Sequence, residues 1–269
     1  MRDHELSSLL VEFAEPGDLP DSPAPAAALD PAAAAPQQSA ATDGAGPDAL
    51  LSRLVQARAA LEHERALAPS LCSDLLASPA EEQLERIAHD RRFQTWGVSE
   101  LLLDKSQRAE ERDPPESGRL ASLALAAVAG IDTTLHLPAV AHDLRARIWG
   151  TLGEAQRRTG KLKAAEDSLR QAASCLAQGT GDLLIEARLL EFEAAVRHDQ
   201  GRGGEAAALL KQAASRYLEV HEFHLLARVV ARREQLLREA PRPTLPPRFA
   251  WRPACLQTSA FVDPPPARS

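Results

Sequence analysis

Three arginines recur in matching surroundings. Arg147 sits in Ala146-Arg147-Ile148-Trp149, Arg188 in Ala187-Arg188-Leu189-Leu190, and Arg228 in Ala227-Arg228-Val229-Val230, at nearly equal intervals along the chain. Guanidinium groups at one register of successive equivalent elements would form a row of planar, charge-assisted donors. Such a row suits the carboxylates of an acidic segment or a chain terminus. The same residues also fit a plainer role, because arginine is a good helix former whose stem covers apolar neighbours.

The other candidates for chemistry have weaker support. Gly201-Arg202-Gly203-Gly204 suggests a phosphate loop, but it follows a predicted helix rather than a strand, and its counterpart Gly160 stands alone. An interhelical turn is the better account. His221 and His224 sit three apart with Glu222 beside them and could bind a metal from one helical face, yet no third ligand is identifiable, so they read as polar capping residues. His136 and His142 read the same way. Glu81-Glu82, Glu110-Glu111 and the Glu191/Glu193 pair fall on predicted helix faces as solvated charge. No G-x-S-x-G, H-E-x-x-H, P-loop or dinucleotide fingerprint occurs, so no catalytic residue, cofactor or metal is expected.

Composition narrows the classes further. Hydrophobic residues make up 44% of the chain but aromatics only 4%, and the formal net charge is −7. Ala and Leu supply most of the apolar surface, which favours closely packed helices over a β core. The acidic balance disfavours non-specific nucleic-acid binding, which needs a clustered basic surface. Cys72, Cys175 and Cys255 are odd in number and widely spaced, so neither a disulfide framework nor a thiolate metal site is expected. Without a secretory leader or a long apolar run, the expected setting is cytoplasmic, with no membrane partner. The Arg-over-Lys bias with heavy Ala and Pro suggests a bacterial source.

The elements that would position the arginines are helices. Residues 1–48 read as an Ala/Pro-rich arm too poor in large apolar side chains to fold by itself. Its start carries Leu6, Leu9, Leu10 and Phe13 at helical spacing, either a frayed end or a tethered acidic motif that docks in a groove. Residues 49–91 read as a helical segment. In it Leu50, Leu54, Ala57 and Leu61 form one face, a short helix lies near 70–76, and Ser78-Pro79 opens another. A break at 90–93 precedes a long helix over about 93–111, with Val98, Leu101, Leu102 and Ser106 inward. Another follows over about 116–129, carrying Leu120, Leu123, Ala124, Ala127 and Val128. The chain closes in a Pro-rich tail, 241–269, whose Phe249 and Trp251 are expected to cap the last helices.

Within 92–240 a unit repeats. Gly160, Ala165, Leu169, Ala172 and Leu176 have counterparts at Gly201, Ala206, Leu210, Ala213 and Tyr217, all displaced by the interval that separates Arg147 from Arg188. Glycine supplies the positive φ that ends one helix, and the next presents an alternating small and large stripe to its partner. Trp149, Leu152, Gly153, Gly160, Leu162, Ala165, Leu169 and Ala172 together resemble the tetratricopeptide repeat. The departures are Gln156, Leu162 and Leu169 at aromatic positions of that family. The resemblance is good over 146–179, moderate over 187–220 and weak before 137. It implies an all-α fold of antiparallel helical hairpins stacked as an α-solenoid with a concave groove. It also implies that Arg147, Arg188 and Arg228 face that groove. Gly150, Glu154, Arg157 and Arg158 of one repeat, and Glu191, Ala195, His198 and Asp199 of the next, would line or border it.

The function expected is a protein-binding scaffold or adaptor in bacterial regulation, holding a protein or peptide with an acidic segment. The alternative is a transcription-linked regulator whose helices over 50–91 contact DNA or a sigma-type factor through Arg53, Arg58, Arg65, Arg86, Arg91 and Arg92. That segment has no helix-turn-helix signature.

Overall fold

Apolar stripes at helical spacing form helices throughout the computed structural model, which describes residues 47–239 except residue 135. Nine α-helices follow one another among the described residues: α1 Pro47–Leu76, α2 Ala80–His89, α3 Trp96–Ala109, α4 Pro114–Ala129, α5 Pro138–Arg158, α6 Leu162–Leu176, α7 Leu183–Asp199, α8 Gly203–Glu219 and α9 Phe223–Glu239. A 3₁₀ turn, Arg91–Phe93, occupies the expected break between α2 and α3. The described chain is all-α, with no strand. The expectations for the arm 1–46 and for Phe249 and Trp251 lie outside the described residues.

Sequential helices pack on one another from α3 to α9, and α1, α3, α5 and α7 form a row in which each touches the next. Two larger apolar clusters result. The first joins Cys72 and Leu75 of α1 to Phe93, Leu102, Leu123 and Ile148. The second joins Ala187 and Ala194 of α7 to Leu210 and Tyr217 of α8 and Val229 of α9. Ala165 and Leu169 of α6 meet Phe192 and Val196 of α7 in a smaller cluster. Each buried Leu or Ile contributes roughly 1.5–3 kcal/mol. Small residues bring the axes close. A Cβ on Gly153 would lie 3.1 Å from Leu169 and 3.3 Å from the Ala165 carbonyl oxygen.

Helix α1 differs from the expected pair of helices. It runs unbroken through Pro69. Pro69 is exposed, so the carbonyl it leaves without a donor can turn to water, while buried Cys72 and Leu75 anchor the following turns. The first half of α1 also departs from the expected inward face. Leu51, Leu54 and Val55 are 60%, 58% and 68% exposed, because no described helix lies opposite them. The start of α2 shifts by one residue, with Pro79 rather than Ser78 at the N-cap position.

Turn chemistry follows the expected glycines. Gly160 and Gly201 have φ of 76° and 75°. In each turn two backbone bonds close the helix: Gly160 N–H to Arg157 O and Lys161 N–H to Gln156 O, then Gly201 N–H to His198 O and Arg202 N–H to Arg197 O. His221, at φ 61°, closes α8 in the same way. No atom lies within 4 Å of a Cβ added at Gly160 or Gly201. Gly160→Ala or Gly201→Ala should therefore cost only the left-handed backbone penalty, about 1–2 kcal/mol. Urea unfolding midpoints check this; an unchanged midpoint would mean the turn accepts alanine by another backbone path.

Candidate functional site, an arginine-lined cleft

Helices α3, α5 and α7 of the row, with α9 beyond them, border a cleft of about 630 Å3. Trp96 comes from α3; Val140, Leu144, Arg147 and Thr151 from α5; Leu184, Arg188, Leu189 and Phe192 from α7; Leu225 and Arg228 from α9. The three recurring arginines thus share one cavity. Its walls are otherwise mostly aliphatic and aromatic, a composition suited to holding an amphipathic segment.

The three guanidinium groups are not equivalent. Arg228 Nη2 donates to both oxygens of Glu191, at 3.0 and 3.2 Å. Glu191 is 4% exposed and also accepts from the Tyr217 hydroxyl at 2.5 Å. Burial, with that hydrogen bond added, pushes the Tyr217 phenol well above its ordinary range, so Tyr217 stays a donor. Arg188 stands 3.8 Å from Glu191 and places its guanidinium carbon 4.6 Å from the centre of the Phe192 ring, a cation–π geometry. Arg147 is exposed and makes no salt bridge among the described residues; its charge helps to hold the Glu100 carboxyl low, behind the larger effect of Arg65. Most of the spare positive charge therefore lies on Arg147, and part on Arg188.

The acids of the cleft are engaged. Asp143 accepts from the Thr180 amide at 3.1 and 3.2 Å and from its hydroxyl at 2.6 Å. Asp182 caps α7 through Leu184 N–H at 2.8 Å and Ile185 N–H at 3.4 Å. Glu222 lies 3.2 Å from His224.

Glu154, Arg157 and Arg158 sit elsewhere. They do not line the cleft; they form an ion network that joins three helices. Glu154, 4% exposed, accepts from Arg157 at 2.7 and 2.8 Å and from Arg158 at 2.7 Å. Arg157 also reaches Asp199 at the end of α7, and Arg158 lies 3.8 Å from Glu110, just after α3. Burial alone would push Glu154 up, but the hydrogen bonds and charges of Arg157 and Arg158 hold it below its ordinary value. Glu110 is raised, mainly by burial, so the pair expected as solvated surface includes one buried acid. Gly150 packs under Leu189 and Phe192, Ala195 is buried and His198 exposed.

Several other residues take roles that spacing did not reveal. Tyr217 reads as an apolar stripe residue, and Glu191 as surface; they bond across helices. A signal was present: one repeat earlier, the matching positions hold Leu176 and Gly150, so both depart together from their counterparts. His136 is buried and its Nε2 lies 3.0 Å from Glu64, beside the Trp96 ring at 5.4 Å between centroids. The Trp96 Nε1–H makes no hydrogen bond of ordinary geometry, yet it lies near enough to add to the lowering of Glu100.

The segment expected in the alternative function shows paired charge. Arg58 meets Glu62, Arg65 meets Glu100, Arg86 meets Asp74 and Arg92 meets Asp90. Such pairing leaves these four without the clustered net charge that phosphate binding requires. Among the described residues no group of three or more His, Cys, Asp or Glu is arranged to hold a metal ion, and no helix is long and apolar enough to cross a membrane. No protein-family model, no curated protein and no solved structure matches this chain.

Proposed function

We propose that this chain is a protein-binding scaffold of tetratricopeptide-like helical pairs, and that its cleft holds a short acidic and partly apolar segment of a polypeptide partner. The observation that carries this reading is the convergence of Arg147, Arg188 and Arg228, from three different helices, on one apolar-walled cavity of about 630 Å3. Apolar walls supply contact area, and guanidinium groups at the rim select carboxylates and fix their register. The shared interval of the repeated residues and the contact of α1, α3, α5 and α7 in sequence support stacked pairs, since a single hairpin would leave its Ala/Leu seam in water.

The test is selection of short random peptides on the full chain by display, followed by titration of the winners. Enriched peptides should carry Asp or Glu beside Leu or Phe. Arg147→Glu with Arg188→Glu should weaken their binding about 30-fold or more, as expected for losing two charge-assisted contacts and gaining repulsion. Arg147 has no ion pair to lose among the described residues, so its variant should keep the wild-type melting temperature. Peptides that bind the double variant as tightly as the wild type would overturn the proposal.

A further inference from the structure

The chain itself carries a segment with the chemistry this cleft would select. Residues 1–15 hold Asp3, Glu5, Glu12 and Glu15 against a single arginine, Arg2. Leu6, Leu9, Leu10 and Phe13 follow the three- and four-residue spacing of one helical face. Acidic residues flanking an apolar stripe are the complement of arginines flanking an apolar wall.

The point where this stretch joins the helices favours the same pairing. The first half of α1 borders a second, shallower hollow of about 240 Å3, lined by Leu54, Ala57, Leu61 and Leu137. Trp96 and Val140 line both hollows, so the shallow one opens beside the arginine cleft. Leu54 stands about 10 Å along the helix from Pro47, at 1.5 Å per residue. Residues 16–46 separate this stretch from α1, and a chain of that length can reach at most about 100 Å, more than enough to bring residues 5–13 to the cleft. The exposed Leu51, Leu54, Val55 and Leu137 lie along the approach. A tethered segment meets the cleft at millimolar effective concentration, which makes even weak contacts count.

We propose that residues 5–13 occupy the arginine-lined cleft as an internal ligand that a partner must displace. This rests on the reading of the cleft as a polypeptide-binding groove. Leu6, Leu9, Leu10 and Phe13 face the Leu144, Leu189 and Phe192 wall, and the flanking carboxylates meet Arg147 and Arg188.

Hydrogen–deuterium exchange of the full chain, followed by mass spectrometry at low and high protein concentration, tests it. Amides of 5–13 should exchange about ten-fold or more slowly than those of 20–40, equally at both concentrations. Leu9→Asp with Phe13→Asp should abolish that protection and speed exchange in 182–192. Residues 9 and 13 belong to none of the nine described helices, and an unchanged urea unfolding midpoint in the variant separates lost docking from a folding defect. The same variant should bind a display-selected acidic peptide about ten-fold more tightly than the wild type, since the competitor is gone. Equal exchange in 5–13 and 20–40, or unchanged peptide affinity in the variant, overturns the proposal. Protection present only at high concentration also overturns it, by assigning the occupant to a second copy. If 5–13 is unprotected while acidic peptides still bind through Arg147 and Arg188, the internal ligand alone fails. If the peptides do not bind either, the groove reading fails with it.

Discussion

Glu191→Ala should lower folding stability by about 3–5 kcal/mol, because it leaves the buried Tyr217 hydroxyl without its acceptor and opens a cavity where the carboxylate stood. The carboxylate is 4% exposed and serves three groups at once: the Tyr217 hydroxyl, the Arg228 guanidinium and, at longer range, Arg188. Alanine would strand the buried phenol without an acceptor and leave a cavity between α7, α8 and α9. Glu191→Gln keeps an acceptor for Tyr217 and fills the space, so it should cost less, about 1.5–3 kcal/mol, the worth of a hydrogen bond to a charged group. Arg228→Ala should cost about 1.5–3 kcal/mol as well, since half of that side chain faces water but its loss leaves the buried Glu191 carboxylate with only Tyr217 and the more distant Arg188. Urea unfolding monitored by helical circular dichroism compares the three variants. A Glu191→Ala protein with the wild-type midpoint would show that these helices are not joined through this carboxylate.

The second large effect is expected at Gly97. A Cβ there would lie 2.5 Å from the carbonyl oxygen of Glu64 and 2.9 Å from the amide nitrogen of Arg65. Both are backbone atoms of α1, so no side-chain rotation relieves the clash. Gly97→Ala must push α1 off α3 and should cost about 3 kcal/mol, the upper part of the range for overpacking. It would also disturb Glu64, which accepts from the Gly97 amide and meets His136, and through His136 the Trp96 wall of the cleft. Gly118→Ala is the control. Its Cβ would lie 3.6 Å from Ala155, an ordinary contact, so the gain in helix propensity, about 0.5–1 kcal/mol, should show as added stability. Hydrogen exchange over 60–76 should rise in Gly97→Ala and stay unchanged in Gly118→Ala. Equal behaviour of the two variants would remove the close approach of α1 and α3 as a feature of the fold.

Local rules made much of the chain after α2 readable. The glycine turns at 160 and 201, the inward stripe of α4 and the long helix over 96–109 follow from apolar spacing and backbone freedom, which act within a few residues. Helix α1 was harder to read. Pro69 marks a helix end by local preference, but α1 continues because the residues beyond it are buried against α3. The expected inward face of α1 failed at Leu54 for a related reason: spacing shows that a stripe exists, and only a neighbouring helix can cover it.

The period of the repeat by itself places Arg147, Arg188 and Arg228 at one register, and the cleft receives all three. Their division of labour came only from the tertiary structure. The residue three positions after each arginine is Gly150, Glu191 and Ala231 in turn, so one acid must serve more than one cation. Which cation it takes depends on how α7 and α9 are rotated against each other, a property of packing between residues 37 apart in the chain. Glu154 shows the same limit: the family resemblance placed it at a groove, while its arginine partners on α5 and their own contacts to Glu110 and Asp199 hold it in the joint between helices. Helix formation and register are settled by neighbours along the chain. Charge pairing in a buried setting is settled by neighbours in space, where low dielectric makes each carboxylate bind whichever donor the packing brings within reach.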